Sequence, residues 1–425
     1  MAHAQWILEQ MRQMSVIDTH EHLEPEHRRI REREDILGLY MTHYASTDVM
    51  IAGMPPEEMA RIQGNTLSLE EKWRMLRPYW EICRNTAYFR VLARASADLY
   101  GIPHIDDDTI GPLNQAFLEA NRPGLYKRIL KKTCGITYAV VDDLFGDGPG
   151  QVVPPDPALF REAGKYDLFL ELGGAVTPEA MATIWRTDFT SLADYEALLE
   201  QTIAQARQRG IVAVKTAIAY DRSLDFRPGS RQEAACVFDR LLRGDVLDGN
   251  ARKPLQDYLM HRIADIAGSL DIPMQIHTGL QEGLGGHLPD SRPAHLIPLF
   301  REHPGTRFDV FHFAYPYGFE LAAIARQYPN VWVDLCWTHV ISQVHAVHAL
   351  EELLEVLPSN KILGFGGDYI YVEGTYAHLQ FARENIAQAL GNRVAAGRLT
   401  RPDALKLANR LLHDNAAALF DGGSV

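Results

Sequence analysis

The chain is poor in the residues that build disulfide scaffolds. It has four cysteines among 425 residues (Cys83, Cys134, Cys236 and Cys336), far apart and forming no CxxC pair. That argues against a cystine framework and against a cysteine-built zinc site, and reads as reduced thiols in a cytoplasmic protein. Cationic excess is also missing. Lys and Arg number 42 against 55 Asp and Glu, a formal charge of -13, which disfavours nucleic acid or an anionic membrane as the main partner. No apolar run approaches the roughly 18 residues of a membrane span. The start, Met1-Ala2-His3-Ala4-Gln5-Trp6, lacks the basic and apolar segments of a secretory signal. There is no internal repeat and no low-complexity linker.

What is present is an alternation of short apolar runs and helical stretches. Strands are expected at Ser15–Thr19, Ile136–Val141, Asp167–Glu171, Ile211–Thr216, Ile272–Ile276, Phe308–His312, Val331–Leu335 and Lys361–Phe365. Most are continuously apolar, as parallel strands covered on both faces should be. Between them Ser191–Arg209 carries a helical apolar face and ends at Gly210, a suitable helix-terminating residue. Thr338–Leu357 and Thr375–Leu390 follow the same pattern, and a last helix is expected over Arg401–Phe420 with Thr400 as its cap. Eight strands alternating with helices predict an α/β fold, a (β/α)8 TIM barrel, in one domain spanning 1–425. The first two strands are separated by a long helical insertion, about 34–125. It includes Leu69–Tyr100, with Trp73, Leu76, Tyr79, Trp80, Cys83, Tyr88, Leu92 and Leu99 as a buried stripe. A second insertion, about 220–250, follows Lys215.

Metal-type ligands recur at strand ends. His20-Glu21-His22 follows Val16-Ile17-Asp18-Thr19, and two imidazoles at i and i+2 on a strand point to the same side. Lys215 closes Ile211-Val212-Ala213-Val214, His277 follows Pro273-Met274-Gln275-Ile276, and His312 closes Phe308-Asp309-Val310-Phe311. Asp368 follows Ile362-Leu363-Gly364-Phe365-Gly366-Gly367. Singly, each has an ordinary reading: a core histidine, a turn aspartate, a lysine reaching solvent. Jointly they fall at the C-terminal strand ends, where barrel active sites lie. Histidines with a carboxylate suit a divalent ion, zinc first, with manganese or iron as alternatives, one or two per chain.

This order of residues resembles the amidohydrolase superfamily: HxH after the first strand, lysine after the fourth, histidines after the fifth and sixth, aspartate after the eighth. The resemblance implies that His20, His22 and Asp368 hold one metal and His277 and His312 a second, and that a carboxylated Lys215 bridges them. It also gives Asp368 the proton of the attacking water, a sensible role because a metal lowers that water's pKa towards ~7. The stretches Gln275-Ile276-His277-Thr278-Gly279, His312-Phe313-Ala314-Tyr315-Pro316 and Tyr328-Pro329-Asn330-Val331-Trp332-Val333-Asp334 are similar to amidohydrolase domains related to glutamine synthetase-like proteins. The N-terminal layout is similar to uronate isomerases, with Glu71-Lys72-Trp73-Arg74 and Ile184-Trp185-Arg186-Thr187 as the supporting segments. Those isomerases follow the aspartate with Ser-Arg; here Tyr369-Ile370 follows Asp368.

Arg186, Tyr220, Arg222, Trp337, His339 and Tyr369 are the candidate substrate contacts, each with packing as its ordinary alternative. His345 and His348, three apart on one helix face, read as solvated. The leading expectation is a metal-dependent hydrolase of a small-molecule amide, cyclic amide or lactone, with Asp368 and Lys215 as its catalytic residues. Alternatives are a non-oxidative decarboxylase using one metal, an isomerase of sugar acids, and a barrel that only binds. Exposed helical insertions could also support a homo-oligomer.

Overall fold

Eight parallel strands follow one another around a single sheet in chain order in the computed structural model, which describes residues 2–32, 35–142 and 156–422. They are β1 (Val16–Glu21), β2 (Ile136–Asp142), β3 (Phe160–Lys165), β4 (Ala213–Thr216), β5 (Met274–Ile276), β6 (Phe308–Val310), β7 (Val331–Asp334) and β8 (Ile362–Leu363). The chain is thus an α/β barrel, as its alternation of elements predicts. Seven strands overlap the expected ones. The third does not: Asp167–Leu170 is a single helical turn, and the strand is the preceding Phe160–Lys165. Its Arg161 and Glu162 are half-buried and it contains Gly164, so it lacks a continuous apolar run, whereas the turn after it has one.

The ring closes between β8 and β1 through main-chain bonds beyond β8. Thr19 N–H donates to Phe365 O (3.2 Å), Asp368 N–H to His20 O (2.8 Å) and His22 N–H to Tyr369 O (3.0 Å). This seam brings Asp368 beside the HxH pair. Gly367 allows it, because a Cβ there would stand 1.8 Å from Glu21 Oε1.

Below the strand ends the barrel interior is polar. Gln275 donates to Thr19 O and to Asp309 (3.0 Å), Asp18 accepts from the Gly367 N–H (2.9 Å), and Asp334 accepts from the Cys336 N–H (2.7 Å). Burial pushes Asp18 and Asp309 up to about 7. A buried carboxyl group without full compensation holds its proton. Around this sits an apolar jacket in which Val16, Val214, Met274, Val310 and Val333 pack against helices such as Leu192–Arg209 and Val372–Ala395. Gly210, with φ 108°, ends the former in the left-handed conformation that its missing side chain permits.

Between β1 and β2 the chain folds into helices, the expected insertion; its expected start at residue 34 lies outside the described residues. The segment Leu69–Tyr100 is two helices, Leu69–Cys83 and Ala87–Tyr100, because Thr86 caps a new N-terminus by accepting from the Phe89 N–H. Likewise Thr338–Leu357 divides at Ser342, whose extended backbone separates Thr338–Ile341 from Gln343–Val356. Two buried ion pairs set the insertion. Lys72 meets Asp35 at 2.5 Å. Arg29 meets Glu373 of the helix after β8 at 2.9 Å, and Tyr100 donates to the same carboxylate at 2.7 Å. Removing one partner of such a pair strands a buried charge, at a cost of about 3–5 kcal/mol.

Candidate metal centre

All six metal-type ligands anticipated from the sequence meet at the C-terminal mouth of the barrel. His22 Nε2 lies 3.1 Å from Asp368 Oδ1, and His20 Nε2 lies 3.7 Å from the same oxygen. His20 Nε2 is also 3.3 Å from Lys215 Nζ. Across the mouth His312 Nε2 is 2.9 Å from His277 Nδ1 and 3.9 Å from Asp368 Oδ2. Asp368 therefore touches both histidine pairs, one through each oxygen. Lys215 is buried, its ammonium 4.6 Å over the Phe311 ring, and its charge acts on His20, His277 and His312 alike.

Sequence reasoning passed over Asp142, the last residue of β2. Its Oδ1 is hydrogen-bonded to His22 Nδ1, and its Oδ2, 3.8 Å from His20 Nε2, is buried with no hydrogen-bond partner among the described residues. A carboxylate on the far nitrogen of a ligating histidine fixes its tautomer and orientation. The available signal was position: Asp142 ends the apolar run Ala139-Val140-Val141, just as the recognised ligands end theirs.

The electrostatics already favour a cation at the first pair. Burial pulls the His22 imidazole down, but the charge and hydrogen bond of Asp142, aided by Asp368, outweigh it and lift His22 to about 9. Asp142 and Asp368 are correspondingly held below the usual carboxylate range, because the histidine partners outweigh their burial. Two imidazoles and one or two carboxylates, with one buried oxygen still unpartnered, form a donor set that fits a divalent metal. At the second pair burial drives His277 well below, and His312 to about 4, so both are neutral and able to ligate.

Backbone strain concentrates here. Among the described residues eight non-glycine positions have positive φ, and six of them are His43, His312, Phe313, Ala314, Trp337 and Asp368. Such conformations cost about 1–3 kcal/mol each and persist where surrounding structure enforces them, commonly at functional sites.

The anticipated substrate contacts divide. Trp337 and Tyr369 face each other at 4.5 Å beside the centre, and Tyr220 lies 4.8 Å from the His277 ring. Three others are placed elsewhere. The Arg222 guanidinium is bound to Asp257 (2.8 Å) and Gln256 and lies over Phe226, which fixes the β4 loop. Arg186 is exposed at the end of the helix Pro178–Trp185. His339 is wholly buried, with Nε2 bonded to Gly364 O (2.9 Å) in the segment that leads to Asp368 and Nδ1 to Asn385 of the helix Val372–Ala395, so both nitrogens are used structurally. The insertion supplies residues that its periodicity could not place at the mouth: His43, Tyr44 and Tyr88, whose rings pack on Trp337 at 4.7, 5.1 and 5.7 Å. His345 is half-buried against Tyr315, rather than solvated.

An eight-stranded parallel barrel with HxH, histidine, histidine and aspartate at its mouth defines a class of metal-centred enzymes. A sequence model described as amidohydrolase matches residues 194–422, more than half of the chain, and the chain belongs to that family. It is 25% identical over 369 residues to protein fluG of Emericella nidulans, covering 79% of this chain and 41% of that protein, so it spans about two fifths of that relative's length. In fold it is similar to the uronate isomerase of Thermotoga maritima (TM-score 0.81, 16% identity, 99% and 97% of the two chains). The glucuronate isomerase of Caulobacter crescentus superposes as well (TM-score 0.81, 17% identity, 100% and 95%).

Proposed function

We propose that this chain is a metal-dependent hydrolase that opens an amide, cyclic amide or lactone bond of a small molecule. The observation that carries the reading is Lys215. Its Nζ is buried beside His20 Nε2, with His277 and His312 in its field, where a carboxylated lysine would join the two histidine pairs. His20, His22 and Asp368 would hold one ion and His277 and His312 a second; zinc is the ion best suited to this nitrogen-rich set. When bound, the metal polarises the substrate carbonyl and acidifies the attacking water.

The chain's own groups then have defined tasks. Asp142 orients the His22 ring through its Nδ1. Asp368, held ionised by its histidine contacts, accepts the proton of the attacking water and delivers it to the leaving group. Tyr44 and Tyr369 stay protonated, since burial raises each phenol, and so remain donors. Four unpaired cysteines accord with a cytoplasmic location.

Sugar-acid isomerisation is the second reading, favoured by the uronate-isomerase-like layout of the whole fold. Tyr369 in place of the Ser-Arg pair, and the engagement of Arg222 elsewhere, count against it. The deciding experiment incubates metal-loaded protein with a panel of amides, cyclic amides and lactones and, separately, with glucuronate. Hydrolysis of a panel member without isomerisation supports the proposal; isomerisation of glucuronate with no hydrolysis overturns it.

A further inference from the structure

Cys336 stands at the centre and has no part in the proposed hydrolysis. It follows the end of β7, is wholly buried and is in no disulfide. One ligand atom from each of His312, Cys336 and Asp368 lies within 4.8 Å of the other two, and all three residues are buried. A free buried cysteine is ordinarily a small packing residue. Cys83 fits that description: it sits in the insertion, with its thiol 3.6 Å from Asp48 O. Cys336 differs, because its neighbours are metal-type ligands and the charges of Asp368 and Lys215 both act on its thiol.

The local backbone is arranged around this residue. The Cys336 N–H donates to Asp334 (2.7 Å), and its carbonyl accepts from the Thr338 N–H (2.8 Å). The same carbonyl lies 3.0 Å from His312 Nδ1, so that nitrogen carries the proton and Nε2 is left free for a ligand. Three segments reach the cluster through strained residues: φ is 65° at His312, 62° at Trp337 beside the cysteine, and 56° at Asp368. Gly366, on the segment leading to Asp368, passes so close that a Cβ there would stand 2.8 Å from Cys336 Sγ. A side chain at that position would displace the thiol.

We propose that Cys336 is a metal ligand, giving its sulfur, as a thiolate, to an ion held by His312 and Asp368. It adds to the ligands already named and does not replace Lys215. Burial raises the free thiol well above its ordinary range, but a coordinating thiol releases its proton to solvent when the ion binds. A sulfur donor tilts the preference of the centre towards zinc and away from manganese. The inference goes beyond the hydrolase reading and is independent of it, since ligation is measured without substrate.

The test uses protein carrying Cys236→Ser, which removes the exposed thiol. Loaded with cobalt(II) in bicarbonate buffer, it is expected to show a sulfur-to-cobalt charge-transfer band in the near ultraviolet. The band should vanish when Cys336→Ser is added, with folding checked by circular dichroism. X-ray absorption of the zinc-loaded Cys236→Ser protein leaves Cys336 intact, and so decides even where the double variant fails to fold. A sulfur neighbour at about 2.3 Å from zinc is expected. In chelator competition, Cys336→Ser should lower zinc affinity about tenfold more than manganese affinity. Absence of the band, a band that survives loss of Cys336, a zinc shell of nitrogen and oxygen alone, or equal losses of zinc and manganese affinity would each overturn the inference.

Discussion

The two histidine pairs at the barrel mouth look alike in sequence and differ in charge. His20 and His22 sit against two carboxylates, Asp142 and Asp368, and His22 is lifted to about 9. His277 and His312 are bonded to each other and to main-chain oxygens of Leu280 and Cys336; the carboxylate nearest them is Asp368, at 3.9 Å. One half is an anionic pocket whose donor set fits a dication. The other is neutral, and under the proposed reading carboxylation of Lys215 would supply its anionic ligand. The identity of the ligands therefore does not set their strength; the carboxylates beside them do.

The largest effect should come from the residue the halves share. Asp368→Asn is expected to lower kcat by roughly 10²–10⁴-fold with substrate binding largely kept, measured by steady-state kinetics and calorimetry. Retained turnover would end its role as proton acceptor. Next is Asp142→Asn, which should weaken metal binding at the first half about 10–100-fold and leave the second unchanged, read by chelator competition. Equal weakening of both would erase the distinction drawn between them.

The first half should also be the pH-sensitive one. An ion entering it displaces the His22 proton, so affinity should rise with pH, about tenfold per unit, and level off above about 9. In the second half the histidines are already neutral and should add no such slope near pH 8, so any slope there would report the proton released on carboxylation of Lys215. Competition titrations at several pH values test this.

The smallest effect lies beneath the site. His339 is buried and lowered from 6.5 to about 4 by desolvation. The unfolded chain then binds its proton more readily, so its contribution to stability is present above 6.5 and is lost as pH falls from there towards 4. In metal-free protein, His339→Asn should lower Tm at neutral pH yet flatten the fall in Tm between pH 6.5 and 4. An equally steep fall would show that His339 is not buried as a neutral base.

The sequence made the barrel and the six ligands legible for one physical reason. Parallel strands covered on both faces are apolar along their length, so a polar residue closing such a run stands out, as Lys215, His277 and Asp368 do. Asp142 obeyed the same rule but was passed over, because a carboxylate after a strand is unremarkable without its histidine partner 120 residues away. Strand β3 was displaced because its polar residues break the apolar rule. The roles of Arg222 and His339 depended on where their hydrogen-bonding partners, Asp257, Gly364 O and Asn385, lie in space. His43, Tyr44 and Tyr88 belong to an insertion whose helices have recognisable faces but whose docking on Trp337 no local pattern encodes.

The central claim, that an anionic half binds metal unaided while a neutral half depends on Lys215, is tested most directly by metal stoichiometry. Protein reconstituted with zinc in bicarbonate buffer is freed of excess ion and analysed by plasma mass spectrometry beside Lys215→Ala. The account predicts about two ions per chain falling to about one in the variant, with the residual ion lost on adding His22→Ala. About two ions in both proteins, or about one in both, would contradict it.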